Sequence, residues 1–164
     1  MTTPRRLSYY GYVDRPYEAV RRLVLSRADE LFQRATKTAG ERTHDLLAEL
    51  HAEAAGIDVG VDVRIEVTKE ADEPGAGGLP PVTHVGLSWK AAERPALFPS
   101  MSAGLSMSPM TFAETRVDFE GIYQPPLGAV GRVLDDAIAH RFAEASVHRF
   151  VNDVIEQIRR EIAA

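Results

Sequence analysis

The sequence YQPPLGAVGRVLDDAI at residues 123–138 places an alternating, strand-like stretch directly before a helical one. The proline pair between them cannot donate backbone hydrogen bonds to a sheet, so strand pairing must end just after Tyr123. The two glycines that follow allow the first helical turns to pass close to the rim of the sheet. The junction therefore predicts a strand that is followed at once by one long helix over residues 127–163.

That helix is amphipathic in an unusual way, because its apolar residues form two stripes roughly 120° apart around the axis. The first stripe contains Leu127, Leu134, Ile138, Phe142 and Ala145, and the second contains Val147, Val151, Val154, Ile158 and Ile162. A straight helix cannot press both stripes on one flat surface. We expect either a bend at residues 143–147 or a strongly curved sheet whose walls contact different halves of the helix. Arg141 and His148 flank the first stripe, as expected where a helix closes the mouth of a cavity.

Period-two alternation of apolar residues predicts the strands of the sheet. They cover residues 7–13, 61–67, 82–92, 100–110 and 112–123. The stretch LLAELHAEA at residues 46–54 fits either a strand or a helix, and its clear strand neighbour at 61–67 favours a sixth strand. Because the last three strands each have a second face of small or charged residues, the sheet is predicted to be antiparallel with one dry and one wet side.

Two connections complete the predicted fold. Asp14 is a helix N-cap with proline inside the next turn, and a second possible cap at Ser26–Asp29 predicts two short consecutive helices over residues 16–36. The turn-forming sequence DEPGAGGLPP at residues 72–81 predicts a surface loop. It is not a phosphate loop, since it lacks the Gly-Lys-Ser/Thr ending and a strand-to-helix context.

Length and composition limit the classes of protein that fit. The chain has 164 residues, 45% of them hydrophobic, which suits a single domain with a real core. No apolar run approaches the roughly 20 residues of a membrane-spanning helix, and the N-terminus is not a secretory signal, so we expect a cytoplasmic location. The absence of cysteine excludes disulfides and thiolate metal sites. The net charge of −5 argues against nucleic acid as a partner.

The polar residues offer little chemistry. His140 and His148 are eight residues apart on the predicted helix, whereas a metal pair requires i, i+4 spacing. There is no Gly-x-Ser-x-Gly elbow and no pair of acids on the inner face, so neither a serine hydrolase nor a glycosidase is indicated. The i, i+4 pairs Arg132/Asp136, Arg149/Asp153 and Glu156/Arg160 are expected on outer faces. We predict no metal, no cofactor and no catalytic residue.

The positive signal is an apolar inner wall between the sheet and the long helix. It consists of Val63, Val85, Leu87, Trp89, Met101, Leu105, Met107, Phe119 and Tyr123 from the strands and Leu134, Ile138 and Phe142 from the helix. Methionines adapt to irregular partners, and Trp89 and Tyr123 each offer one donor to a mostly apolar ligand. The same pattern also describes a solid core, so the residues alone leave open whether the interior is hollow.

The order of these elements resembles the START/Bet v 1-like superfamily, also called SRPBCC or polyketide cyclase-like. The resemblance rests on residues 123–135, on His140-Arg141 with the segment 143–150, and on the opening YVDRPYEAV at 12–20. It implies one α+β helix-grip domain over residues 1–164, with about six antiparallel strands wrapped around a long C-terminal helix. Two departures are the count of six strands, where many members have seven, and the lack of a Tyr-Pro-x-Trp signature.

The resemblance also implies a function, namely that the interior holds a small hydrophobic molecule such as a lipid or a polyketide- or isoprenoid-like metabolite. The expected partner is that molecule, without nucleic acid or stable membrane insertion, and the chain is expected to be a monomer or a homodimer. Two alternatives remain open. One is a cyclase or dehydratase, for which His148, Arg141 and Tyr123 are the candidates, and the other is a protein-interaction module with an apolar mouth.

Overall fold

The computed structural model describes residues 4–49, 63–91, 100–124 and 136–162, apart from the side chains of residues 38–49, 63, 89–91 and 136–142. The elements in chain order are β1 (Arg5–Val13), α1 (Tyr17–Glu49), β2 (Val63–Glu73), β3 (Val82–Ala91), β4 (Ser100–Thr111), β5 (Glu114–Gln124) and α2 (Asp136–Glu161). The strand-to-helix junction and Leu127 therefore lie outside the described residues.

The strands form one sheet in the order β1-β5-β4-β3-β2, with every neighbouring pair antiparallel. Strand β4 lies at the centre, and β1 and β2 are the two edges. Helix α1 connects one edge of the sheet to the other, which leaves the three later strands to pair through short connections. The predicted α+β arrangement of an antiparallel sheet with a C-terminal helix is confirmed.

The sixth strand predicted at residues 46–54 is wrong for its first four residues. Residues 46–49 are the last turn of α1, and residues 50–54 lie outside the described part of the chain. Leucine, alanine and glutamate are strong helix formers, and a helix already under way is extended at little cost because no new nucleus is needed. Local propensity thus outweighed the alternation that favoured a strand.

Helix α1 is interrupted where the second cap was expected. Arg27 has a non-helical backbone conformation (φ −142°, ψ 29°) that divides the element into two helical segments. The second segment does not end near residue 36, as predicted, but continues to Glu49. The segment is therefore about twice as long as expected.

Strand β2 also extends further than its alternation indicated. Asp72 and Glu73, predicted as loop, pair with Thr83 and Val82 of β3. Asp72 is held there by side-chain contacts from both β3 and α1, which compensate for its poor strand propensity. The loop is shorter than predicted and has positive φ at Gly77 and Gly78, as a tight turn requires.

The two faces of the sheet differ as predicted. The inner face carries buried apolar side chains from all five strands, while the outer face carries residues such as Ser102, Arg116 and Glu120 that are exposed or half-buried. A register shift between Val67 and Lys69 marks a bulge in the edge strand β2. Gln33 of α1 accepts a hydrogen bond from the Ile65 backbone N–H at 3.2 Å, which helps to cover this edge.

Helix α2 runs along the edge strand β1. Asp14 contacts Arg159 at one end, and Tyr9 contacts Asn152 and His148 further along. The stretch from Tyr9 to Asp14 and the helix from His148 to Arg159 each cover about 17 Å. The two elements therefore run side by side in the same direction. The earlier residues of α2, including the buried Ala143, therefore lie toward the end of the sheet that carries Leu7.

The bend considered at residues 143–147 is absent, since α2 is helical from Asp136 to Glu161. Its buried face is broader than the predicted second stripe, because Ala143, Phe150 and Ile155 are buried beside it. This wide face lies between α1 on one side and β1 on the other. The first predicted stripe lies mostly outside the described side chains, so the curved-sheet alternative stays a prediction.

Within the described ranges, no helix combines the length and the apolar character needed to span a bilayer.

Candidate functional site

Seven of the twelve predicted wall residues are buried together on the inner face of the sheet. They are Val85, Leu87, Met101, Leu105, Met107, Phe119 and Tyr123. The register places Leu105 directly between Val85 and Phe119, and Met101 directly beside Tyr123. Side chains of directly paired residues share a face, so the sheet itself assembles this part of the predicted wall.

The other five wall residues are placed only in part. Val63 lies in β2, Trp89 lies in β3, and Ile138 and Phe142 lie in α2. The side chains of these four residues are outside the described part of the structure, and so is the whole of Leu134. The ladder pairs Trp89 with Met101, at the same end of the sheet as Tyr123. Their role in ligand binding stays a prediction.

Burial is complete at one end of the inner face and slightly lower toward the other. Leu105, Met107 and Val117 are 0% exposed, whereas Met101 and Tyr123 each retain 6% exposure. Between these two groups, Ala103 faces inward from the central strand and is only half-buried. A central, inward-facing residue is normally the best covered position of a sheet, so the small side chain of Ala103 leaves accessible space above it.

An aromatic cluster that the sequence did not indicate closes the sealed end. The ring centroid of Phe150 on α2 lies 6.1 Å from Phe119 of β5 and 6.4 Å from Phe32 of α1. These distances are typical of favourable edge-on and tilted aromatic pairs. One side chain therefore joins the sheet and both helices. Phe150 belongs to neither of the two predicted stripes of the helix, so the sequence pattern did not single it out.

His148 does not border an interior cavity, contrary to the prediction. It is exposed, and its ring stacks on Tyr9 with centroids 4.1 Å apart and an angle of 28° between the planes. The Tyr9 hydroxyl donates to Oδ1 of Asn152 at 3.3 Å. The three side chains lie between α2 and the edge strand on the outside of the domain.

A polar chain crosses the sealed end between α1 and the sheet. The hydroxyls of Tyr17 and Thr83 are 2.7 Å apart, and Thr83 donates to Oδ1 of Asp72 at 2.9 Å. Nε of Arg21 donates to the same carboxylate at 2.7 Å. The bond from Arg21 lowers the pKa of Asp72, while burial raises the pKa of the Tyr17 hydroxyl, so the acid is charged and the phenol neutral at pH 7. These groups satisfy one another and act as a structural clamp.

Two of the predicted surface ion pairs differ in the structure. Asp153 is only 3% exposed, so it does not lie on an outer face with Arg149 as expected. Glu156 pairs with Arg159 at i, i+3 spacing, and Arg159 also binds Asp14 at 2.7 Å. The third pair includes Arg132, which is outside the described ranges. The broad buried face of α2 explains the burial of Asp153.

Solved structures similar to the chain include the Zhui aromatase/cyclase from Streptomyces sp. R1128, the protein Ara h 8.0201 and a conserved protein from Geobacillus kaustophilus. The first is 13% identical, with a TM-score of 0.46 over 98% of this chain and 96% of that one. The second is 9% identical, with a TM-score of 0.44 over 95% and 98%. The third is 8% identical, with a TM-score of 0.49 over 95% and 96%.

At such identities and TM-scores the likeness concerns the fold alone. No protein-family model matches the chain, and no curated protein matches it.

Proposed function

We propose that the domain binds a small hydrophobic molecule, such as a lipid or a polyketide- or isoprenoid-like metabolite, between the inner face of the sheet and α2. The half-buried Ala103 supports this proposal most directly. Its neighbours on β4, Met101 and Leu105, are buried, so the accessible apolar surface begins at one small residue in the middle of the sheet.

The proposed site is built from the predicted wall, with Ala103 added at its centre. Met101 borders it with a deformable thioether, and Gly121 admits that side chain, since a Cβ on Gly121 would lie 2.9 Å from the Met101 sulfur. Trp89, paired with Met101, and Val63 belong to the site on the strand side. The earlier turns of α2, with Ile138 and Phe142, cover it in this proposal, together with Leu134.

The lining determines what such a ligand must look like. The described inner face offers methyl, methylene, thioether and aromatic surface, and its polar groups near the accessible end are limited to the Tyr123 hydroxyl. A guest with charged groups on all sides would lose hydration without gaining partners. We therefore expect an apolar ligand with one or two hydrogen-bonding groups, in a cytoplasmic protein.

Carriage is favoured over catalysis by the placement of the candidate acids and bases. Of the three candidates for a cyclase or dehydratase, His148 lies on the surface against Tyr9, and Arg141 has no described side chain. Tyr123 alone is placed on the inner face. A neutral phenol is suited to orienting a ligand by one hydrogen bond, and proton transfer generally requires a group that titrates closer to the operating pH.

Substitution at the centre of the site tests the proposal. Ala103→Leu fills the accessible space and should weaken binding of apolar ligands at least about tenfold, or about 1.4 kcal/mol. Ser102→Leu is the matched control, because it adds the same bulk at the next residue on the exposed outer face. Binding of a fatty acid, a flavonoid and a prenol would be measured by the fluorescence of Trp89, the single tryptophan of the chain.

The wild type and Ser102→Leu should then give the same saturable curves, and Ala103→Leu should give a weaker one. If Ala103→Leu and Ser102→Leu changed the affinity equally, the molecule would not bind at the inner face beside Ala103. Failure of every ligand to saturate, in protein whose folding is verified by circular dichroism, would refute the proposal.

A further inference from the structure

The outer face of the sheet carries a serine, a histidine and a glutamate in series across three strands. Nδ1 of His84 on β3 lies 2.9 Å from Oγ of Ser106 on β4, and Nε2 of the same ring lies 3.7 Å from Oε1 of Glu73 on β2. His84 and Ser106 are directly paired in the ladder, and Glu73 is the last residue of its strand. One ring nitrogen of the imidazole is thus within hydrogen-bond distance of a hydroxyl, and a carboxylate lies near the other at ion-pair distance.

The arrangement is compatible with the tautomer of the neutral ring that carries its proton on Nε2. A carboxylate only accepts hydrogen bonds, and Glu73 lies on the Nε2 side of the ring. Nδ1 is then free to accept the hydroxyl proton of Ser106. The acid on the other side of Ser106, Asp118, is bound through both carboxylate oxygens by Arg116 at 2.7–3.0 Å, so its charge is already matched.

The surface beside the pair is open to a small reactant. The next pair on the same face is Gly86 and Gly104. A Cβ on Gly104 would meet no atom within 4 Å, whereas one on Gly86 would lie 2.6 Å from Oγ1 of Thr68 and 3.4 Å from Cβ of Lys69. The surface is therefore open over Gly104, whereas the Thr68 hydroxyl and the stem of Lys69 lie over Gly86.

We propose that Ser106 is a nucleophile for activated acyl groups, with His84 as its general base and Glu73 as a positioning residue. The Ser106 oxygen bonds to the acyl carbon, and the bond from that carbon to the leaving oxygen breaks with its electron pair. The hydroxyl proton passes to His84 and from there to the leaving oxygen. Water then repeats the sequence on the acyl-serine, which releases the carboxylic acid and restores the serine.

The substrate class follows from the surroundings. The site is a shallow surface depression, so it suits small, activated esters and not long peptides. Because Ser106 lies on a strand and not on a sharp turn, the absence of a Gly-x-Ser-x-Gly elbow does not bear on it. The site lies on the face opposite the proposed ligand cavity, so neither proposal depends on the other.

The test uses p-nitrophenyl acetate as the acyl donor, with peptide mapping by mass spectrometry. Ser106→Ala should remove an acetyl group that the wild type acquires on this residue. Ser102→Ala is the matched control, since Ser102 lies on the same strand and face but pairs with Ser88 and not with a histidine. His84→Gln should slow the acylation of Ser106 about 100-fold, as expected for loss of a general base.

Glu73→Gln separates positioning from folding. The maximal acylation rate should fall while the half-saturating ester concentration stays unchanged, whereas general disruption of the sheet would change both. Amide NMR spectra would verify the fold of each variant. Acetylation confined to lysines, equal acetylation of Ser102 and Ser106, or acetylation of Ser106 that is indifferent to His84→Gln would each overturn the proposal.

Discussion

Gly11 shows how a single residue sets the distance between α2 and the sheet. A Cβ at this position of β1 would lie 2.5 Å from Cδ1 of Ile155, which is closer than non-bonded carbons approach. Ile155 is itself buried, so its side chain has little room to rotate away. The missing side chain of Gly11 therefore allows the helix to lie directly on the edge strand.

Gly11→Ala should lower the free energy of unfolding by about 1–3 kcal/mol, as expected for overpacking. Gly104→Ala is the matched control, because a Cβ there meets nothing within 4 Å and alanine is not disfavoured relative to glycine in a strand. Urea unfolding of both variants checks the prediction. Equal stability of the two variants would show that the helix does not contact β1 as described.

Asp72 makes folding sensitive to acid. Its bond to Arg21 lowers the pKa of the carboxyl below the ordinary value of 3.8 in the folded state. The contribution of the charged group is therefore complete above pH 3.8 and is lost as the pH falls through the folded-state pKa. Arg159 and Arg27 lower the pKa of Asp14 and Glu30 in the same direction.

Asp72→Asn should be less stable than the wild type near neutral pH, and the difference should shrink as the pH falls below about 3.8. Glu120→Gln, which removes an exposed carboxylate of β5, is the control. Urea unfolding at a series of pH values measures both. A difference between wild type and Asp72→Asn that does not depend on pH would contradict the assigned ion pair.

At the scale of elements, α2 is the member that joins the other parts. It contacts β1 through Tyr9 and Gly11, and it contacts α1 through Phe32 and through Glu161, whose carboxylate binds Arg27 and Arg34. Phe150 lies where these contacts meet. A helix with partners on two sides needs a wide buried face. This explains why Ala143, Phe150 and Ile155 are buried although they lie outside the second predicted stripe.

Phe150→Ala should reduce the free energy of unfolding by about 3–5 kcal/mol, because it leaves a cavity between two helices and the sheet. Phe112→Ala removes the same ring from a hairpin where it is 95% exposed, and it should change stability by no more than about 0.5 kcal/mol. Thermal unfolding compares them. Similar losses from both variants would contradict the described packing of α2.

The sequence predicted the elements that have a strong period and missed those that depend on contacts. Alternation identified the strands and their inner faces, and a cap identified the break at Arg27. Residues 46–49 were mistaken for a strand because their spacing fits both periods. The burial of Asp153 and the exposure of His148 depend on the rotation of α2 against its neighbours, which no local pattern encodes.

For the candidate site, too, the sequence predicted local features and missed those that depend on contacts between distant residues. Seven wall residues were predicted correctly as inward-facing, since facing is a local property of a strand. The accessible space at Ala103 and the partnership of Ser106 with His84 arise from the order of strands and their register, which bring together residues that are far apart in the chain. Alanine and serine in a strand carry no distinguishing signal of their own.

At the scale of the whole molecule, the two ends of the described inner face differ in how completely they are buried. One end is sealed by Val117, Met107 and the Phe150 cluster and is clamped by the chain from Tyr17 to Asp72. The other end begins at Ala103 and Met101. The proposed function assigns the ligand to the second of these ends.

The most direct measurement is an amide NMR titration of the wild-type protein with a fatty acid, a flavonoid and a prenol. For at least one ligand, saturable shifts should be concentrated at Ala103, Met101, Gly121 and Tyr123, while Val117 and Met107 at the sealed end stay unchanged. Shifts restricted to the outer face, or no saturable shift with any of the three ligands, would contradict the proposed binding site between the sheet and α2.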